Sequence, residues 1–161
     1  MKQSIAGVTP PETREVTVMT VWPTLAAYGP GRIIGRLCSV KAGVGFFSLG
    51  KLLALLLIPA AMGLYAFTLI PWMIRSYRLT NRRVIVEVGL RGRPERWVDF
   101  DRFDSIEVEV LPGQDWYPAG DLVFRNGQVE TFRLAGVSRP ETFRHTCLAA
   151  RRGYLGAAES Q

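Results

Sequence analysis

The chain has 161 residues, is 48% hydrophobic and carries a formal charge of +6, which suits one compact domain plus a membrane segment. The charge is uneven: residues 1–74 hold six Lys/Arg against two Glu, and residues 75–161 hold fourteen Arg against twelve Asp/Glu. The near-balanced second part argues against a nucleic-acid-binding face, and two distant cysteines with one histidine argue against a zinc site or imidazole catalysis.

Residues 1–20 contain no apolar signal-peptide core and predict a flexible tail. Residues 21–51 form a juxtamembrane segment that mixes apolar side chains with Gly, Arg and Lys. Ile33, Ile34, Leu37 and Val40 fall near helical spacing, with Arg32, Arg36 and Lys41 elsewhere on the wheel. Two readings stand: a short helix lying in the membrane interface, or a loop packed on the membrane helix and the soluble domain.

From Leu52 to Ile74 run 23 residues without one charged side chain. As a helix this stretch measures roughly 34 Å, enough for a hydrocarbon core of about 30 Å. It predicts a transmembrane segment over 52–74 that also acts as the targeting element. A single pass is the favoured reading. A hairpin folded at Pro59 is the alternative, and it places Lys51 inside one arm. Pro59 and Pro71 predict kinks, and Trp72 suits an interfacial aromatic belt.

After Arg75 the periodicity changes to that of strands. Val84, Val86 and Val88 alternate with Ile85 and Glu87, and Ile106, Val108 and Val110 with Glu107 and Glu109. Asn126-Gly127 predicts a type I′ hairpin turn. Ser138 with Glu141 reads as a capping box for a terminal helix. Its stripe is Phe143, Cys147 and Leu148, it ends at Gly153, and residues 153–161 form a flexible tail. The predicted class is α+β: a transmembrane helix, then an antiparallel β-barrel or sandwich capped by a C-terminal helix.

Arg75, Arg78, Arg82 and Arg83 form a basic collar after the apolar run, read as anionic-lipid contact or as a topology determinant. Arg91, Arg93 and Arg96 surround a Gly-Pro turn, read as a partner or phosphate site or as a solvated edge loop. Trp116 and Tyr117 sit in a loop, as a partner or membrane contact or as a lid folded over the barrel end. Asp99, Asp101, Asp104, Glu107 and Glu109 lack the spacing and glycine of a calcium loop and read as a solvated sheet face. No nucleotide-binding or hydrolase motif occurs in the chain. No catalytic residue, cofactor or metal is assigned.

Several short words of this sequence, in order, resemble the bacterial pleckstrin-homology-like (PH-like) family of small membrane proteins. They are Tyr77-Arg-Leu-Thr-Asn-Arg-Arg83, the stretch from Trp97 to Ile106, Gly120-Asp-Leu122 and Leu134-Ala-Gly-Val-Ser-Arg-Pro-Glu-Thr-Phe143. Trp22-Pro-Thr24 and Gly31-Arg-Ile-Ile-Gly-Arg-Leu37 add to the likeness upstream. The resemblance implies a seven-stranded bent barrel plugged by a C-terminal helix, here over residues 77–152, and implies no catalytic set. Eukaryotic relatives bind phosphoinositides in a basic loop between the first two strands. The matching position here, Thr80 to Arg83, is a tight turn.

The expected function is therefore a non-enzymatic, membrane-anchored PH-like domain that binds a protein partner or scaffolds a membrane assembly. The alternative is an anionic-headgroup module using the juxtamembrane arginines. Expected partners are membrane lipids and a protein, with a homo-oligomer compatible and nucleic acid disfavoured. The arginines after residue 74 place the domain on the cytoplasmic side of the cell membrane.

Overall fold

A computed structural model of the protein describes residues 15–40, 43–44, 47–68, 70–71 and 74–159. Strand β1 (Thr17–Val21) is followed by a 3-10 turn (Leu25–Ala27) and helix α1 (Gly29–Cys38). Two short strands, β2 (Gly43–Val44) and β3 (Phe47–Ser48), lead into helix α2 (Leu49–Thr68). Then come β4 (Arg75–Thr80), β5 (Arg83–Val88), β6 (Arg93–Asp99), β7 (Ser105–Glu109), β8 (Ala119–Asn126), β9 (Val129–Ser138) and helix α3 (Pro140–Glu159).

The long strands form two antiparallel sheets, β1-β4-β5-β6 and β7-β8-β9. The fold is α+β, and its sheets do not join into a closed barrel among the described residues. A bridge between Pro23 and Val137 brings the segment after β1 onto β9 at one corner. Inward-facing Tyr77, Leu79, Val84, Val86 and Val98 meet Leu122, Phe124, Phe132 and Leu134 across the core. Phe103 stands edge-on to Phe124 at 5.0 Å, an orientation favoured by the ring quadrupoles. Phe143 and Cys147 of α3 plug the open end and are fully buried.

Seven long strands are present among the described residues, yet the seventh is not where the sequence places the domain. Residues 77–152 supply six of them in whole or part, and the missing one is β1, upstream of the apolar helix. Its register on β4 runs from Thr17 opposite Thr80 to Val21 opposite Tyr77. The tail predicted over residues 1–20 is thus corrected at 17–20, where Thr-Val-Met-Thr-Val breaks strict period-2 alternation and the strand carries a register shift between Thr17 and Met19. Residues 1–14 of that tail lie outside the described residues.

Other boundaries move as well. The apolar helix begins three residues early and ends at Thr68, and Pro59 lies inside it. Trp72 and Lys41 lie outside the described residues. Helix α3 runs through Gly153 to Glu159, because Tyr154 packs edge-on against Phe100 at 5.8 Å. Ser138 is the last residue of β9, paired with Ala119, and the carbonyl that accepts the first helical N–H groups belongs to Arg139. The N-cap position is therefore Arg139, one residue beyond the predicted Ser138.

The hairpin joining β8 and β9 also differs from expectation. Asn126 pairs with Val129, so the two loop residues are Gly127 and Gln128. Gly127 has φ +59° while Gln128 does not take positive φ, which matches the Gly-first type II′ pattern rather than type I′.

Candidate functional site

Chain exit from α2 positions the site. The backbone N–H of Gly89 donates to Ile74 at 2.7 Å, and that of Leu90 donates to Pro71 at 3.0 Å. These two bonds pin the β5–β6 tip to the segment between α2 and β4. Leu90 at the tip is 72% exposed. Arg93 lies opposite Val88, which in turn lies opposite Arg75, so Arg75, Arg91 and Arg93 gather at this end of the sheet. The Arg75 guanidinium reaches Glu95 at 3.4 Å in an exposed ion pair. A shallow hollow of about 530 Å³ lies among Pro71, Leu90, Arg91, Arg93 and Glu95.

Around the corner is a second cleft of about 360 Å³, lined by Trp22, Leu25, Tyr28, Tyr65, Ile74 and Arg75. It is mostly apolar and aromatic, with one cation at its rim. Outside both hollows lies the outward face of α2, where Leu55, Leu56 and Met62 are each about two-thirds or more exposed.

The remaining residues of the predicted collar are elsewhere. Arg78 forms a 2.6 Å ion pair with Glu87, whose carboxylate is buried on the outer face of β5 and also receives the Ser76 hydroxyl. Arg83 makes a bidentate contact with Glu15 at 2.9 Å; that contact holds the Glu15 carboxyl below its ordinary pKa. Arg82 and Arg83 sit in the β4–β5 turn, roughly 20 Å along the strand from Arg75. The collar is therefore divided, and three of its four members, Arg75, Arg78 and Arg83, pair with carboxylates of the protein itself.

Trp116 and Tyr117 belong to the loop between β7 and β8, which meets α1 rather than the end of the sheets. Tyr117 packs beside Gly35, and partial burial raises its pKa. Trp116 remains 44% exposed. The carboxylates of the β6–β7 region are engaged singly. Glu107 pairs with Arg125 at 2.8 Å and Glu109 with Arg133 at 2.7 Å. Asp104 accepts the Gly127 N–H at 2.8 Å, which lowers its pKa.

One polar centre escapes the sequence pattern. Gln114 is fully buried and donates to Asp121 at 2.6 Å, while its side-chain oxygen accepts the Leu111 N–H at 2.8 Å. Asp121 also accepts the Gly136 N–H at 2.9 Å and faces Arg133 at 3.3 Å. The Thr24 N–H and hydroxyl both donate to the Gly136 carbonyl. Every buried polar group here has a partner, as burial requires, and together they clamp residues 22–27 to β8 and β9. The clearest sequence signal for this clamp is an aspartate, Asp121, directly before the apolar run Leu122-Val-Phe124 of β8.

The geometry offers two hollows at the exit of an apolar helix and, among the described residues, no constellation of nucleophile and base. Comparison with curated proteins returns no match, and neither does comparison with solved structures. The family model described as bacterial PH domain matches residues 36–151. That span contains α2, six of the seven long strands and most of α3, and the family is generally a binding or scaffolding module. The chain belongs to the bacterial PH domain family.

Proposed function

We propose that this protein is a non-enzymatic scaffold held on a membrane, with its PH-like domain presented to a protein partner. The observation that carries the reading is the outward face of α2. A helix whose 18-residue window has mean hydropathy 1.8 and is only 6% buried has its apolar surface unsatisfied by the domain. Flotation with vesicles of phosphatidylcholine and phosphatidylglycerol tests it. The full chain is expected to float, and replacing Leu55, Leu56 and Met62 by Gln is expected to release it. A full chain that stays at the bottom of the gradient overturns the reading.

A headgroup-binding reading is favoured by one cluster, Leu90 with Arg75, Arg91 and Arg93. An apolar tip ringed by guanidinium groups suits an anionic interface, where each cation near the surface contributes about 1 kcal/mol. The same flotation decides its weight: binding that depends on phosphatidylglycerol and weakens with salt supports it, and binding indifferent to both removes it. The basic residues at this end also favour the cytoplasmic side. Cross-linking in native membranes identifies the protein partner.

A further inference from the structure

We infer that α2 is a one-sided, in-plane membrane anchor, so that residues 15–40 and 75–159 lie on the same side of the bilayer. The inference rests on the membrane reading above and replaces the single pass expected from the length of the apolar run.

The first ground is topological. Strand β1 precedes α2 and β4 follows it, and the two are hydrogen-bonded neighbours in one sheet, with Thr20 opposite Arg78 and Val21 opposite Tyr77. Pro23 bridges to Val137, Thr24 bonds Gly136, and the Gln114 amide reaches the Ala26 carbonyl at 3.5 Å. A helix that crossed once would separate these partners by about 30 Å of hydrocarbon. No β ladder survives that separation.

The second ground is where the ends of α2 rest. Near its start, Gly50 is buried so closely against the Cys38 and Val40 carbonyls that a Cβ would clash with both. Near its end, Tyr65 shares a cleft with Trp22, Tyr28 and Arg75. Thus α2 runs antiparallel along α1, with its start at the C-terminus of α1 and its end beyond the N-terminus of α1. Both ends are held by the same body.

The third ground is the division of faces. Leu53, Ala54, Leu57, Ala61 and Leu64 are half-buried and fall on one side of the helix. Leu52, Leu55, Leu56, Met62 and Phe67 fall on the other side and are exposed. An interfacial helix ordinarily turns a polar face to water. Here α1 packs along that face, which explains why α2 carries no polar stripe. Ile33 and Leu37 of the packed α1, and Val40 after it, are exposed apolar side chains as well. Arg91 and Arg93 at one end and Arg36 at the other are exposed cations beside this surface. An apolar face with basic ends is complementary to an anionic lipid surface.

Depth and sidedness are both measurable on the full chain added to sealed vesicles of equal parts phosphatidylcholine and phosphatidylglycerol. Spin labels at Leu52→Cys, Gly63→Cys and Ala66→Cys lie along one line of the helix, all at exposed positions. Native Cys38 and Cys147 are buried and do not compete for label. The expected result is one common depth for all three. A traversing helix instead gives a gradient approaching 21 Å between the outer two, from about 1.5 Å per residue, and a folded hairpin gives its greatest depth at Gly63; either overturns the inference. Val18→Cys on β1 and Val129→Cys on β9 are expected to react equally with an impermeant maleimide added outside, and protection of one alone overturns it. A chain that fails to float and migrates as a dimer would instead overturn the membrane reading itself, because a second copy would then cover α2.

Discussion

Gly127 shows how one residue sets the register of a hairpin. Its φ of +59° lies in the left-handed region, and an added Cβ would meet open space there. Any penalty for substitution is therefore backbone strain and not a clash, about 1–2 kcal/mol for a non-glycine residue. Gly127→Val is expected to lower the urea midpoint accordingly, and Gly127→Asn to lose less; equal midpoints for all three proteins would remove the turn assignment. Asn-Gly was legible as a hairpin in the sequence. Which two residues formed the loop was not, because that choice depends on the register shift between Phe124 and Arg125. Leu90 was illegible for a related reason. Its role follows from two backbone hydrogen bonds to Ile74 and Pro71, and no side-chain pattern reports those.

Helix α1 is the element whose environment the sequence left open between membrane and domain. The structure docks one face of it on the domain and leaves Ile33 and Leu37 exposed on another. Gly35 faces the β7–β8 loop so closely that a Cβ would strike the Gly113 carbonyl, and one on Gly113 would strike the Arg32 carbonyl. Backbone meets backbone at this contact, and Ile33 and Leu37 are left facing outward. The glycines were visible in Gly31-Arg-Ile-Ile-Gly35, but their four-residue spacing marks a close approach only once the opposing loop is known. Gly35→Val is expected to cost about 1–3 kcal/mol, the range for overpacking a tight contact, and to expose residues 29–40 to limited proteolysis. Gly29→Ala is the control, since a Cβ at that site meets nothing. Equal protease resistance of the two variants would sink the docking of α1.

At the scale of the whole molecule, the domain and the membrane segment are not consecutive units. The strands from β4 onward and the plugging helix were readable because period-2 alternation and the Phe143/Cys147 stripe are local signals. The first strand was not, because it pairs with residues on the far side of the apolar helix. A fragment beginning at Tyr77 lacks β1, leaves β4 as a bare edge and removes the Thr24 and Ala26 contacts from the Gln114–Asp121 clamp. It is expected to melt well below a soluble version in which residues 15–40 are joined to 74–161 by a Gly/Ser linker replacing 41–73. Matching melting temperatures would mean that β1 contributes nothing to the domain.

The interruption of the sheet by α2 also orders events during synthesis. Strand β1 leaves the ribosome first and has no partner until β4 follows, after the whole apolar helix has emerged. Contacts so distant in sequence form slowly, so on the membrane reading α2 is open to lipid while the sheet is still incomplete. A nascent chain that threaded α2 through the bilayer would strand β1 beyond reach of β4 and remain short of one edge, with Tyr77 and Leu79 uncovered. On the in-plane reading proposed above, completion of the sheet would act as a proofreading step on membrane insertion, since only chains that keep both flanks together acquire the finished domain.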